Sequence, residues 1–238
     1  ARDIQRQMLP EKAPTVKNLD VAGSVTPASL VGGDIYDYLN AKNGDLLMFI
    51  SDVTGHGVPA GMIASITNSC LWSYATTVER LDEILVAMNR VVYAKTGPSM
   101  FATALLSRWD AKTRQIRYCN AGHEQIMHYQ AKTQTIRLIG KGGMALGMIA
   151  DLKKLLKEES LTLEKGDVML LYTDGIPEAW KDEKNNLGLS GFSELARKVI
   201  SRGQTAETIR KNILEGVNRF RKNFPQKDDI TLIVAKAL

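Results

Sequence analysis

The sequence predicts a single α/β or α+β domain built around one large core, and three observations predict it. The chain has 238 residues, long for one small domain and short for two. Its 44% hydrophobic and 24% charged residues match an ordinary globular composition, which excludes disorder, collagen and a disulfide scaffold. Its apolar residues alternate at strand spacing in some segments and recur at helical spacing in others. No internal repeat, low-complexity tract or linker divides the chain into two domains.

The elements follow in order. Ile4, Gln5, Met8 and Leu9 fit the end of an amphipathic helix that Pro10 and Pro14 stop, so residues 1–12 are read as the end of a linker helix and 13–238 as the domain proper. The chain starts at Ala1 in the middle of that helix, as expected for a piece of a longer protein. Strands are predicted at Leu19 to Val25, Ile35 to Leu39 and Leu46 to Ser51, the last two joined by a hairpin turn at Asn43-Gly44. Two helices follow, one with Met62, Ile63, Ile66, Cys70 and Tyr74 on a shared face, the next with Leu81, Ile84, Leu85, Met88 and Val92. Phe101 to Trp109, Gln115 to Cys119, Gln125 to Tyr129 and Thr135 to Ile139 read as an antiparallel meander, with turns at Asp110-Ala111-Lys112 and Ala131-Lys132. Gly140 to Ala150, rich in Gly and Met, is either a loop over a site or a connector. Glu159 to Leu163 and Val168 to Thr173 read as a strand pair around Lys165-Gly166. Helices at Ser190 to Ser201 and Ala206 to Phe220, then a strand at Ile230 to Val234, close the chain.

Composition narrows function. The longest apolar runs, Leu46 to Ile50 and Val168 to Tyr172, fall far short of the ~20 residues a membrane span needs. Cys70 and Cys119 are too few for a secreted framework and too far apart for a zinc pattern, which points to a reducing cytoplasm. The net charge of +5 comes from basic residues late in the chain, on predicted helices, and reads as a solvated face. Nucleic acid is not indicated.

Chemistry concentrates where hydrophobic strands run into aspartates. Four places do this: VGGD at 31–34, SDVTGHG at 51–57, LYTDG at 171–175 and DDIT at 228–231. One Asp-Gly is only a turn, but four such strand ends invite convergence. Two unit charges ~4 Å apart repel by about 4 kcal/mol at an effective dielectric of 20, so converging carboxylates need a counter-charge. No lysine or arginine stands inside VGGD, SDVTGHG or LYTDG, and all-oxygen ligands select Mg²⁺ or Mn²⁺ over zinc.

The ordered run IQRQMLP at 4–10, VGGDIYD at 31–37, SDVTGHG at 51–57, NAGH at 120–123, LYTDG at 171–175 and DDIT at 228–231 resembles the SpoIIE/RsbU branch of the PPM (PP2C-like) metal-dependent serine/threonine phosphatases. The resemblance covers nearly the whole chain. It implies an α+β fold, a PP2C-like αββα sandwich of two antiparallel sheets flanked by helices, with a site for two Mn²⁺ or Mg²⁺ ions at one end. Carried onto this chain, the family pattern makes Asp52 the carboxylate bridging both metals, with the Val53 carbonyl beside it. Asp174 and Asp228 match the positions on one metal, and Asp34 matches the acidic position beside the other, binding directly or through water. Asp229 is read as an acceptor behind Asp228; the alternative exchanges their roles.

Around these, Gly32 and Gly33 allow backbone close to a metal, and Gly55 and Gly57 a tight turn into the next helix. His56 is an acid for the leaving oxygen or a packing residue of that turn, and His123 is open in the same way. Asn120 and Gly122 shape a turn beside the site, and His128 is structural. Glu124-Gln125 after NAGH and Ala145 before Leu146-Gly147 depart from the family pattern and bear on substrate fit, not on the metal ligands. The basic phosphate-binding residue of larger relatives has no counterpart near the start.

The resemblance implies an enzyme that uses a metal-activated water to dephosphorylate a phospho-Ser/Thr STAS-type anti-sigma-factor antagonist in a partner-switching stress response. It also implies an upstream sensor or receiver domain and a homodimer through the linker helix. The alternative is a non-catalytic partner-binding module of the same fold, against which the retained Asp34, Asp52, Asp174 and Asp228 weigh. A nucleotide cyclase reading of Gly32-Gly33-Asp34 fails because Ile35 and Tyr36 follow.

Overall fold

The computed structural model describes residues 2–41, 44–97 and 99–238. Two five-stranded antiparallel sheets stack face to face. The first has the order β2 (Ile35–Asn40), β3 (Leu46–Val53), β4 (Ala102–Asp110), β5 (Gln115–Ala121), β8 (Glu158–Thr162). The second has β1 (Leu19–Thr26), β12 (Ile230–Ala237), β9 (Val168–Tyr172), β6 (Ile126–Gln130), β7 (Thr135–Ile139). A short hairpin, β10 (Trp180–Asp182) with β11 (Asn185–Asn186), stands apart.

Three layers of burial hold this together, and strand alternation sorts residues among them. Side chains such as Met48, Ile50, Leu105, Trp109, Met169 and Ile233 fill the space between the sheets. The opposite face of the first sheet, with Leu47, Phe49 and Leu106, packs on α2 (Val58–Ala75) and α3 (Leu81–Lys95). The outer face of the second sheet packs Leu170, Tyr172 and Val234 on α4 (Gly188–Ile200) and α5 (Ala206–Arg221). The result is the expected αββα sandwich. The N-terminal α1 (Arg2–Gln7) buries none of its residues, and Ile4 is 66% exposed. No helix among the described residues is long and apolar enough to cross a membrane.

Three local expectations change. Glu158–Thr162 and Val168–Tyr172 are not a pair: β8 forms the edge of the first sheet on β5, while β9 lies between β12 and β6 in the second. Their compositions carry the reason, since EESLT is half exposed and VMLLY is buried on both faces. The meander likewise breaks between β5 and β6, where the chain crosses from one sheet to the other at Asn120 to Glu124. In α2, Met62 is 62% exposed, and the buried face runs through Ala60, Ile63, Ala64, Leu71 and Ala75, small residues that bring the helix close to the sheet. The face predicted for α3 is buried in full. The Asn43-Gly44 turn falls partly outside the described residues, although the strands it was expected to join are paired and Ala41 N donates to Asp45 O at 2.8 Å.

Candidate active site

Antiparallel pairing brings the four aspartate motifs to one end of the sandwich. Asp34 directly precedes β2 and Asp52 lies near the end of β3, while Asp174 is the second residue after β9 and Asp228 and Asp229 directly precede β12. Strand starts and strand ends thus meet, two from each sheet.

Asp34 is the deepest of them, 3% exposed. Its Oδ2 accepts from the hydroxyls of Thr173 at 2.7 Å and Thr231 at 2.5 Å. Burial, then the neighbouring Asp52, hold its carboxyl well above the usual carboxylate range, against the help of those two hydroxyls. Asp52 is pushed up to about 6 by burial and by the charges of Asp228 and Asp229. Asp174 is pushed up to about 7 by burial and by Asp52 and Asp228. Burial also raises Asp228, which nearby His56 partly offsets. No lysine or arginine is among the main influences on these four carboxyls among the described residues, and the one cationic influence is that of His56 on Asp228.

Asp229 behaves differently from Asp228. Its Oδ1 accepts from the Ala28 amide at 2.7 Å and its Oδ2 from the Asp34 amide at 3.2 Å, so both oxygens tie backbone. Asp228 is exposed, and its Oδ1 accepts only the amide of Asp229, at 2.8 Å. Two glycines permit this crowding. A Cβ on Gly32 would collide with the Asp229 carboxylate, and one on Gly33 would stand 2.6 Å from the Val53 carbonyl oxygen.

The histidines separate cleanly. His56 is exposed, between Gly55 and Gly57 at φ 88° and 78°, so it does not pack into the turn. His123 is buried, its Nδ1 lies 2.8 Å from Thr103 Oγ1, and that hydroxyl donates to the Asp52 carbonyl at 3.3 Å. Burial lowers its pKa to about 4 against a backbone contact with Tyr172, so the ring is neutral, and its Nε2 makes no well-formed hydrogen bond. His128 pairs with buried Asp167 at 2.9 Å, away from the aspartates in sequence motif and in contact. Asn120 staples the crossing turn: its amide donates to the carbonyls of His123, Glu124 and Gly140, and its Oδ1 accepts from His123 N.

Gly140 to Ala150 is pinned rather than free. Leu146 exchanges two backbone hydrogen bonds with Ala102, and Asn89 binds Gly147 N and the carbonyls of Ile149 and Ala150. The segment therefore braces the start of β4, whose Thr103 faces Asp52 across the sheet.

Sequence reasoning passed over Thr173 and Thr231, although both stand inside quoted motifs where a hydroxyl beside an aspartate was visible. It also passed over Glu124 as an electrostatic participant: its charge raises both Asp52 and Asp174. Gln5 was read only as a helix residue, yet its side-chain amide brackets Gly32, donating to Gly32 O at 2.7 Å and accepting from Gly32 N at 3.1 Å.

Whether these residues suit metal is answered by the donor set. The carboxylates and the Val53 carbonyl are all hard oxygen donors, their mutual repulsion is uncompensated, and Gly33 leaves the carbonyl uncovered. No three His, Cys, Asp or Glu side chains among the described residues form a ready cage. That combination fits Mg²⁺-like ions, which keep several waters and use few protein ligands, better than zinc.

Comparison with known proteins agrees. A family model described as Stage II sporulation protein E (SpoIIE) matches residues 42–238. The chain is 29% identical over 236 residues to phosphoserine phosphatase RsbU of Bacillus subtilis (strain 168), covering 99% of this chain and 68% of that protein. It spans only 40% and 44% of two other curated relatives. Among solved structures, the RsbU and RsbW domains of Rv1364c from Mycobacterium tuberculosis align at a TM-score of 0.81 and 25% identity, over 97% of this chain and 63% of that one. The SiaA-PP2C domain of Pseudomonas aeruginosa aligns at 0.83 and 20% identity, over 100% and 93%. RsbX in complex with magnesium aligns at 0.71 and 18% identity, over 95% and 99%. The chain belongs to the SpoIIE family: it is an RsbU-type PPM phosphatase domain, of the class of protein serine/threonine phosphatases.

Proposed function

We propose that this phosphatase domain removes phosphate from a phosphoserine or phosphothreonine of a STAS-type anti-sigma-factor antagonist, as the output of a bacterial partner-switching pathway. The observation that carries the reading is the meeting of Asp34, Asp52, Asp174 and Asp228 at one end of the sandwich, with carboxyls raised by burial and by one another and offset only in part by His56. The name of RsbU, a phosphoserine phosphatase, supports the substrate class, and the magnesium complex of RsbX supports the metal.

Asp52 would serve both ions with the Val53 carbonyl as a neighbouring ligand, Asp174 and Asp228 would hold one of them, and Asp34 would stand beside the other, directly or through water. When bound, Mn²⁺ or Mg²⁺ supplies Lewis acidity, lowering the pKa of a water and neutralising the phosphoryl charge. The chain's own residues do the positioning. Thr173 and Thr231 orient Asp34 by both donating to its Oδ2. Asp229 clamps the amides of Ala28 and Asp34, which sets the loop carrying Gly33 against Val53. His56, exposed and acting on Asp228, would give a proton to the departing serine oxygen, while neutral His123 holds Thr103 behind Asp52.

Residues 1–12 are proposed as the end of a linker helix from an upstream sensor or receiver domain and as part of a homodimer contact. The exposed Ile4 and the Gln5 clamp on Gly32 support that reading. Free Cys70 and Cys119 suit a cytoplasmic location. The direct test is phosphate release from a serine-phosphorylated STAS protein. Turnover that requires Mn²⁺ or Mg²⁺ and ceases with chelator is expected; chelator-insensitive turnover, or none with either metal, overturns the reading.

A further inference from the structure

At the opposite end of the same sheet lies a charge of opposite sign. Arg108 is 2% exposed and shares the face of β4 that carries Ala102, Ala104 and Leu106, so it points into the helical layer. A guanidinium does not give up its proton in a protein, so burial obliges it to find acceptors. Directly across the strand pair stands a second cation, Arg117. Arg117 is balanced by Glu158 at 3.3 Å. Arg108 is not: its Nε has no hydrogen-bond partner, and it joins none of the ion pairs among the described residues. Burial and the nearby Arg117 lower its pKa from the ordinary value, against the charges of Asp45, Glu158 and Glu79.

The guanidinium borders a cavity of about 410 Å³ under the turn between α2 and α3. Ala41, Ala75 and Val78 form its apolar walls, and Thr76, Thr77 and Glu79 its polar ones. We propose that this cavity binds a small, singly charged organic anion, a carboxylate with a short apolar body, on Arg108. The planar fork of a guanidinium matches a carboxylate with two parallel hydrogen bonds. A single charge is favoured because Glu79 and the carbonyl end of α2 both oppose an anion, and one guanidinium cannot balance a doubly charged phosphate against them. The apolar walls then select a body of a few carbons over a bare inorganic ion. Arg108 lies five residues along β4 from Thr103, the partner of Asp52, or about 17 Å. The site is therefore separate from the phosphatase chemistry, and its test needs no metal.

Butyrate is the probe, with inorganic phosphate beside it, titrated into the chain while the amide resonances of Thr76, Thr77 and Val78 are followed. Butyrate is expected to move these resonances saturably, at least tenfold more tightly than phosphate does. Arg108→Met is expected to weaken butyrate at least tenfold. Val78→Phe, which narrows the cavity and leaves Arg108 in place, is expected to weaken it similarly while the far-ultraviolet circular dichroism stays unchanged; it decides the matter alone if Arg108→Met does not fold. No saturation by butyrate, phosphate binding as tight as butyrate, shifts confined to other parts of the chain, or equal butyrate affinity in the wild type and the folded variants would each overturn the proposal.

Discussion

The two ends of the strand pair β3 and β4 hold opposite electrostatic problems. At one end Asp52 faces Thr103 and is surrounded by Asp34, Asp174 and Asp228; at the other Leu47 faces Arg108, which stands beside Arg117. At neither end do the neighbouring side chains restore the group to its ordinary pKa. The carboxylate end gathers several acids whose protons are retained by burial and repulsion, so it can wait for its counter-ions by staying partly protonated. The arginine end has no such recourse, because a guanidinium keeps its proton. A site built from aspartates can thus be stable before its ligand arrives, whereas a buried arginine presses for a partner at every pH.

The sharpest way to break the comparison is to remove the central carboxylate. Asp52→Asn is expected to cost roughly 10³-fold or more in phosphate release, the loss of several kcal/mol of transition-state stabilisation. The same variant is expected to unfold at a higher temperature than the wild type in chelator, since one repelling charge is gone. Retained Mn²⁺-stimulated turnover in a steady-state assay would sink the assignment of Asp52 as the bridging ligand.

A smaller effect separates the two adjacent aspartates of DDIT. Asp228→Asn and Asp174→Asn should each weaken Mn²⁺ binding by calorimetry without any loss of stability in chelator. Asp229→Asn should do the reverse, because its carboxylate ties the amides of Ala28 and Asp34, and charge-assisted bonds of that kind are worth about 1.5–3 kcal/mol. If Asp229→Asn proves the most damaging to Mn²⁺ affinity, the two roles are exchanged.

Acidity offers a third, gentler lever. Asp52 at about 6 and Asp174 at about 7 lie above the 3.8 of an unfolded aspartate, so the folded state binds more protons and loses stability as pH rises through those values. His123, lowered to about 4 from 6.5, acts oppositely: its contribution is lost as pH falls from 6.5 toward 4. From pH 6.5 to 8 the carboxylates outweigh His123, whose unfolded form is already about half deprotonated at the start of that window. In chelator the unfolding free energy should decline across it, by on the order of 1 kcal/mol once solvent screening is allowed for. With saturating Mn²⁺ the decline should vanish, because metal replaces the protons. A flat chelator profile in urea titrations would show that the carboxylates are not coupled as described.

The carboxylate end was largely legible before the fold was known, and the arginine end was not. Asp34, Asp52, Asp174 and Asp228 each stand at the junction of an apolar strand and a glycine or a second acid, a local signal that survives without coordinates. The neighbours that tune them, Glu124 and the hydroxyls of Thr173 and Thr231, act across chain separations up to the 197 residues between Asp34 and Thr231, and sequence spacing carries no such information. Arg108 sits in Leu-Leu-Ser-Arg-Trp-Asp, where one basic residue in a strand reads as an exposed position; its burial follows from α2 and α3 covering that face. Strand partners failed for the same reason. Glu158–Thr162 and Val168–Tyr172 are joined by a short turn that looks like a hairpin, and only the different exposure of their faces assigns them to different sheets. Met62 was misplaced because a helix lying close on a sheet buries alanines, which a search for large apolar residues overlooks.

The smallest expected effect sharpens the contrast at the arginine end. Glu79 is exposed at the cavity rim and acts on Arg108 only through space, without a hydrogen bond. Exposed charge pairs of this sort contribute about 0–1 kcal/mol, so Glu79→Gln should lower stability by a few tenths at most in urea titrations. Its effect on an arriving anion has the opposite sign, because the carboxylate that mildly favours the guanidinium also repels the guest. Glu79→Gln is therefore expected to tighten butyrate binding about two- to threefold, in proportion to that same small energy, and to do so less at high salt. A stability loss above about 2 kcal/mol would mean that Glu79 is the true partner of Arg108, swinging inward in solution to close the cavity. In that case the two ends of the strand pair would differ in kind: one waiting for ions from outside, the other balanced from within.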